Sequence, residues 1–144
     1  MTFMDRLFVD TWGWLTLRDK SEQRHADIVP VFESFQQAGH AIYTSDFVLD
    51  ETFTLLFRRL PFNAACESME LLTASLEEGS LVSIPINGPR FKAAQQLRLR
   101  YQDKPDISFT DLTSMVVMQE FEIQKILTED GHFAQVGLGL ELIC

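Results

Sequence analysis

Leu7-Phe8-Val9 runs straight into Asp10-Thr11, three apolar residues with no alternation and then a carboxylate. A strand buried on both faces reads this way, as at the centre of a parallel sheet. Its carboxyl end is where open α/β sheets bind their ligands. A lone carboxylate there is costly away from water, so Asp10 either caps the next turn or holds a cation.

The chain downstream decides whether other acids can join it. Trp12-Gly13-Trp14-Leu15 follows, and the polar stretch from Arg18 to Arg24 reads as a loop. Residues 26–38 read as a helix with Val31, Phe35 and Ala38 on one side, Pro30 in its first turn or at a kink, and Gly39 as its stop. Residues 41–44 form a second strand. Ser45 and Asp46 suit the N-cap of a helix over 47–60 that Pro61 ends. Asn63 can cap a further helix reaching Gly79. Residues 81–86 read as a third strand, and Pro89 opens a helix to about Tyr101. After the loop 103–106, Ser108-Phe109-Thr110-Asp111 has capping-box spacing, with Asp in place of Glu. That helix runs to about Phe121, and residues 123–127 and 138–143 are the last strands. Strands alternating with helices imply an α/β fold, a parallel sheet flanked by helices. At 144 residues, the chain is expected to be one domain spanning 1–144.

If the first and fourth strands are neighbours, three acids converge at one rim. Asp10 ends the first strand, Asp130 follows the fourth, and Asp111 lies in the first turn of the helix feeding the fourth. Glu51, about a turn into the helix after the second strand, reaches the same rim, while Asp50 points roughly 100° away. Two carboxylates about 4 Å apart repel by roughly 4 kcal/mol at an effective dielectric near 20. Hard divalent cations such as Mg²⁺ or Mn²⁺ relieve this through oxygen ligands. The sequence holds no His or Cys cluster that would favour zinc. Such a carboxylate-held ion suits phosphoester chemistry, since it polarises the phosphoryl group, activates water and steadies the leaving oxygen.

Four pieces of the sequence, taken in order, resemble the PIN-domain family, in particular its VapC-like toxin ribonucleases. They are Phe8-Val9-Asp10-Thr11, residues 44–52 (Thr44-Ser45-Asp46 through Asp50-Glu51-Thr52), Ser108-Phe109-Thr110-Asp111, and Asp130-Gly131-His132-Phe133. The resemblance implies a three-layer fold with a mainly parallel sheet of order 3-2-1-4-5. It implies Mg²⁺- or Mn²⁺-dependent cleavage of RNA, with Asp10, Glu51, Asp111 and Asp130 as catalytic and metal-holding acids. It also implies a homodimer that pairs with a small antitoxin protein. Trp12-Gly13-Trp14 falls where the family varies. The alternative reading is a PIN fold that binds RNA or a partner without cutting.

Other residues carry lesser expectations. Thr11 is a candidate to bond a metal ligand, and Ser108 is first an N-cap. His25 and His132 read as structural or surface residues, Asp46 as a cap and Asp106 as a loop acid. The net charge of −9 rules out binding nucleic acid by bulk charge. Arg90, Lys92, Arg98, Arg100 and Lys104, five of the twelve basic residues, therefore form a candidate phosphate track, with a solvated helix face as the competing reading. Arg58-Arg59 could also meet phosphates, although a helix end suits cations anyway. Phe53, Phe57 and Trp14 suit either a partner groove or the core. Cys66 and Cys144 imply neither a disulfide framework nor a zinc site. No apolar run reaches the roughly 20 residues that span a bilayer, and no signal pattern opens the chain, so a cytoplasmic location is expected.

Overall fold

The computed structural model describes residues 5–129 and 131–143. Asp130 and Cys144 lie outside them. Its elements in order are β1 (Arg6–Val9), α1 (Thr11–Arg18), α2 (His25–Gln37), β2 (Ala41–Ser45), α3 (Asp46–Arg59) and α4 (Phe62–Glu78). There follow β3 (Leu81–Ile84), α5 (Gly88–Arg100), α6 (Phe109–Glu120), β4 (Lys125–Leu127), α7 (His132–Gln135) and β5 (Glu141–Ile143). The strands form one sheet of order β3-β2-β1-β4-β5, parallel at every pairing.

β1 is central, as its uninterrupted apolar run requires. Phe8 pairs with Tyr43 on one side and Ile126 on the other. Leu7, Phe8 and Val9 are wholly buried. The chain steps outward from β1 to β2 and β3, then crosses back to β4 and β5. With right-handed crossovers this reversal puts helices on both faces. It also makes β1/β4 the topological switch point, where a crevice opens beyond the strands' carboxyl ends.

Local chemistry sets most element boundaries. Ser45 Oγ accepts a hydrogen bond from Val48 N at 3.1 Å and starts α3. Asn87 Oδ1 accepts from Arg90 N at 3.0 Å and starts α5. Asp46, read as a cap, also ties the chain beyond β3 to the head of α3, since its Oδ1 accepts from Ile86 N at 2.9 Å. His25 is structural, its Nδ1 lying 2.8 Å from Thr16 O.

Two local readings are corrected, and two helices, α1 and α7, were not foreseen. α1 runs to Arg18, so the expected loop begins after it. Gly13 through Leu17 are all buried, so α1 has no exposed side to give it an amphipathic period. The inward stripe of α2 is Ile28, Phe32 and Phe35, with Ala38 exposed. Both this stripe and the expected one have helical spacing. Packing decides between them, through the Phe32 ring edge-on to Trp14 at 5.9 Å. Pro61 rather than Asn63 stands at the N-cap of α4. Finally, α7 is only four residues long, too short to show a period.

Candidate active site

Helices that precede or follow parallel strands run back along the sheet, so α1, α3 and α6 all begin at its carboxyl rim. Each helix start carries partial positive charge. The acids expected at this rim sit close to these starts. Asp10 is the N-cap of α1, Asp111 lies in the first turn of α6, and Glu51 is in the second turn of α3. The helix dipoles thus offset part of the repulsion among the carboxylates.

Asp10 is 5% exposed and held at both oxygens. Oδ1 accepts from Gly13 N at 3.0 Å, and Oδ2 accepts from the Thr128 hydroxyl at 2.6 Å. Thr128 directly follows β4, so this bond spans the switch point. The strand end behind it is fastened too. Thr44 Oγ1 donates to Val9 O at 3.1 Å and accepts from the Trp14 indole at 3.1 Å. Gly13 completes the arrangement. A Cβ there would stand 2.7 Å from Val9 Cγ1 and 2.8 Å from Leu127 O, so only glycine lets α1 pack this closely on β1 and β4. The capping and site readings of Asp10 are therefore compatible.

Asp10, Glu51 and Asp111 line one cleft of about 460 Å³, together with Thr11, Trp12, Ser108, Asp106 and His132. Glu22 and Arg59 line it as well. Ser108 caps α6, its Oγ accepting from Asp111 N at 3.0 Å, which fixes the first turn that carries Asp111. His132, expected to be structural or at the surface, places Nδ1 3.7 Å from Asp111 Oδ2. Asp106, read as a loop acid, also reaches the cleft. A larger cavity of about 640 Å³ lies near the amino ends of β1 and β4, beside Arg6 and Lys125. It is away from the switch point and from these acids.

The donor set is one of oxygens, which suits a hard divalent ion. Among the described residues, no three His, Cys, Asp or Glu side chains already stand close enough together to hold an ion. Asp130, the fourth expected acid, lies outside the described residues.

The candidate phosphate track is largely bound within the protein. Arg90 forms an ion pair with Glu120 at 2.6 Å, donates to Pro85 O at 2.8 Å and lies over the Phe121 ring. Arg98 donates to the carbonyls of Ile107, Tyr101 and Lys104. Lys104 pairs with Asp103 at 2.9 Å, and this contact holds the Asp103 carboxyl below its ordinary value. Lys92 and Arg100 are the two exposed members of the run. None of the five lines the acid cleft.

Sequence reasoning missed Thr44, Thr128 and the fastening role of Trp14. A threonine in or after a buried strand is too common to signal such a role.

The PIN domain family matches residues 7–138, a span that runs from the second residue of β1 past the end of α7. The chain belongs to the PIN-domain family. Within it, this PIN domain is 30% identical over 131 residues to the 23S rRNA-specific endonuclease VapC20 of Mycobacterium tuberculosis, covering 91% of this chain and 94% of that protein. The crystal structure of that VapC20, described as a sarcin-ricin loop cleaving toxin, superposes with a TM-score of 0.77 at 28% identity. It covers 91% of this chain and 95% of the other. VapBC2 from Rickettsia felis, solved bound to a DNA fragment from its promoter, shares the fold at a TM-score of 0.70 and 15% identity. That match covers 95% of this chain and 96% of the other. Among the described residues, no helix is long and apolar enough to cross a membrane.

Proposed function

We propose that this PIN domain is a divalent-metal-dependent endoribonuclease and the toxin of a toxin–antitoxin pair. One observation carries the reading. Asp10, Glu51 and Asp111, from three separate elements, line one cleft at the topological switch point of the sheet. The similarity to a 23S rRNA-specific endonuclease over nine-tenths of the chain supports the choice of RNA as substrate.

In this reading Asp10, Glu51, Asp111 and Asp130 hold Mg²⁺ or Mn²⁺. The ion, when bound, supplies Lewis-acid polarisation of the scissile phosphate and a more acidic water. The protein contributes placement. The bonds of Asp10 to Gly13 and Thr128 keep its carboxylate fixed, and the Ser108 cap does the same for the turn bearing Asp111. Thr11, first residue of α1, lines the cleft within reach of a ligand's outer contacts. Lys92 and Arg100 are the members of the basic run left for phosphates, Arg90 and Arg98 being committed to internal bonds.

The acidic cleft also suits regulation. A small antitoxin could insert an arginine there by charge-assisted hydrogen bonds to the carboxylates. We further propose that residues 1–144 work as a single domain, as a homodimer, in the cytoplasm.

The test is cleavage of an RNA carrying the 23S sarcin-ricin loop in the presence of Mn²⁺. Wild type is expected to cut, and Asp10→Asn or added EDTA to abolish cutting. Equal cleavage by wild type and Asp10→Asn removes the assigned mechanism. Cleavage that survives EDTA removes the ion from it.

A further inference from the structure

A polyanion entering this cleft meets Asp10, Glu22, Glu51, Asp106 and Asp111, and a divalent ion offsets only the acids that hold it. Among the described residues, Arg59 is the one Lys or Arg that lines the cleft. It ends α3, the helix that carries Glu51, and lies about 12 Å from Glu51 along the helix axis. A helix C-terminus favours any cation, so position alone explains nothing. Arg58 shares that position but does not line the cleft, whereas Arg59 does.

The Arg59 guanidinium is positioned but weakly held. Its Nη1 donates to Glu22 Oε1 at 2.9 Å, its one side-chain hydrogen bond among the described residues. The two side chains are 42% and 33% exposed. An ion pair this open to solvent holds little energy and is screened by salt. A phosphate can take the guanidinium fork through two parallel bonds, which one contact to Glu22 does not match. Glu22 thus keeps the fork at the cleft through a single, weak contact.

We infer that Arg59 is a substrate-binding residue that grips a backbone phosphate of the RNA flanking the cleavage position, displacing Glu22 as it does so. The inference rests on the ribonuclease reading of the cleft, and its test separates the two. Binding of a single-stranded RNA is measured in an Asp10→Asn background, so that cleavage plays no part, with and without Arg59→Ala, across a range of salt. Loss of Arg59 is expected to weaken binding about tenfold. It should also lower the slope of log K against log salt by about 0.7, the share of one phosphate on a single strand. Arg59→Lys should restore the slope but only part of the affinity, since an ammonium lacks the fork. In the otherwise wild-type enzyme, Arg59→Ala should raise KM about tenfold and leave kcat within about threefold.

Glu22→Gln should bind RNA as tightly as its parent or more tightly. If it weakens binding as much as Arg59→Ala, the pair is merely structural and the inference is overturned. Unchanged affinity and slope on losing Arg59, with cleavage by wild type intact, also overturn it and leave the ribonuclease reading standing. If the Asp10→Asn protein binds no RNA and wild type cuts none, both are overturned.

Discussion

Asp10, Glu51 and Asp111 are far apart in the chain and line one cleft, whereas Arg90, Lys92, Arg98, Arg100 and Lys104 are near neighbours and scatter. The acids are gathered because three helices start at one rim of a parallel sheet, an arrangement set by topology. The cations sit on a single helix and its exit, where successive side chains point in different directions, so that Arg90, Arg98 and Lys104 each meet a different local partner while Lys92 and Arg100 stay exposed. Closeness in sequence says little about a shared surface, and position at a strand or helix end says much more. Each side of this contrast can be attacked by mutation.

The largest expected effect is on the acid side. Asp10→Asn should lower RNA cleavage by at least about 100-fold, since even the outer partners of metal ligands typically cost 10–100-fold. Asparagine caps helices as well as aspartate, and its NH2, standing where Oδ2 accepts from Thr128, can donate to that hydroxyl once it rotates, so the stability of this variant should stay within about 0.5 kcal/mol of wild type. Asp10→Ala should lose the same activity and also about 1–2 kcal/mol, because the α1 cap goes and the buried Thr128 hydroxyl loses the acceptor at 2.6 Å. Thermal melts of the two variants beside their cleavage rates separate the roles. If Asp10→Asn melts as low as Asp10→Ala, the charge rather than the cap holds the fold there.

Next is the packing that lets the acids meet. Gly13→Ala places a methyl against a backbone carbonyl, Leu127 O, which cannot swing aside. A loss of about 3 kcal/mol is expected, read by urea denaturation. An unchanged midpoint would mean that α1 can lift off the sheet without cost, and the switch point would then be less rigid than the crowding at Gly13 implies.

The buried, central character of β1 and the end-of-strand position of Asp10 could be read from the residues, because a two-sided buried strand leaves a run with no alternation, whereas the order of the strands came only from the resemblance to the PIN-domain family. The caps at Ser45 and Ser108 were readable too, since a capping hydroxyl acts within its own turn. What could not be read depends on contacts between distant elements. α1 is buried at five successive positions, Gly13 through Leu17, so its sequence shows no clear exposed side. The stripe of α2 is set by where Trp14 stands, and two registers were equally good until that contact was known. Gly13, within Trp12-Gly13-Trp14, gave no sign that Val9 and Leu127 crowd it. Thr128 matters only because β4 lies beside β1. His132 read as a structural or surface residue, and the fold brings its ring to Asp111. Asp130 lies outside the described residues, so its place in the cleft belongs to the proposal.

On the cationic side the contrast becomes a graded series. Arg98→Ala takes a charged donor from the carbonyls of Ile107, Tyr101 and Lys104, the last two of which still accept from Lys104 N and Ile107 N, and should cost about 2 kcal/mol, since bonds from a charged group to backbone are among the stronger ones. Arg90→Ala removes a bidentate pair with Glu120 and a contact over the Phe121 ring. Part of that pair is open to solvent, so about 1 kcal/mol is expected. Arg100→Ala should change stability by less than about 0.5 kcal/mol, as exposed sites without internal partners usually do. Chemical denaturation of the three variants checks the order. RNA binding supplies the sharper reading, because a phosphate track and a set of internal clamps predict opposite rankings. If the run serves the fold, affinity follows stability and Arg100→Ala is silent in both. If Arg100 meets the RNA backbone, its loss weakens binding and lowers the salt slope while the melt stays put. In that case the scattered cations would share a surface after all, and the contrast with the acids would hold only for Arg90 and Arg98.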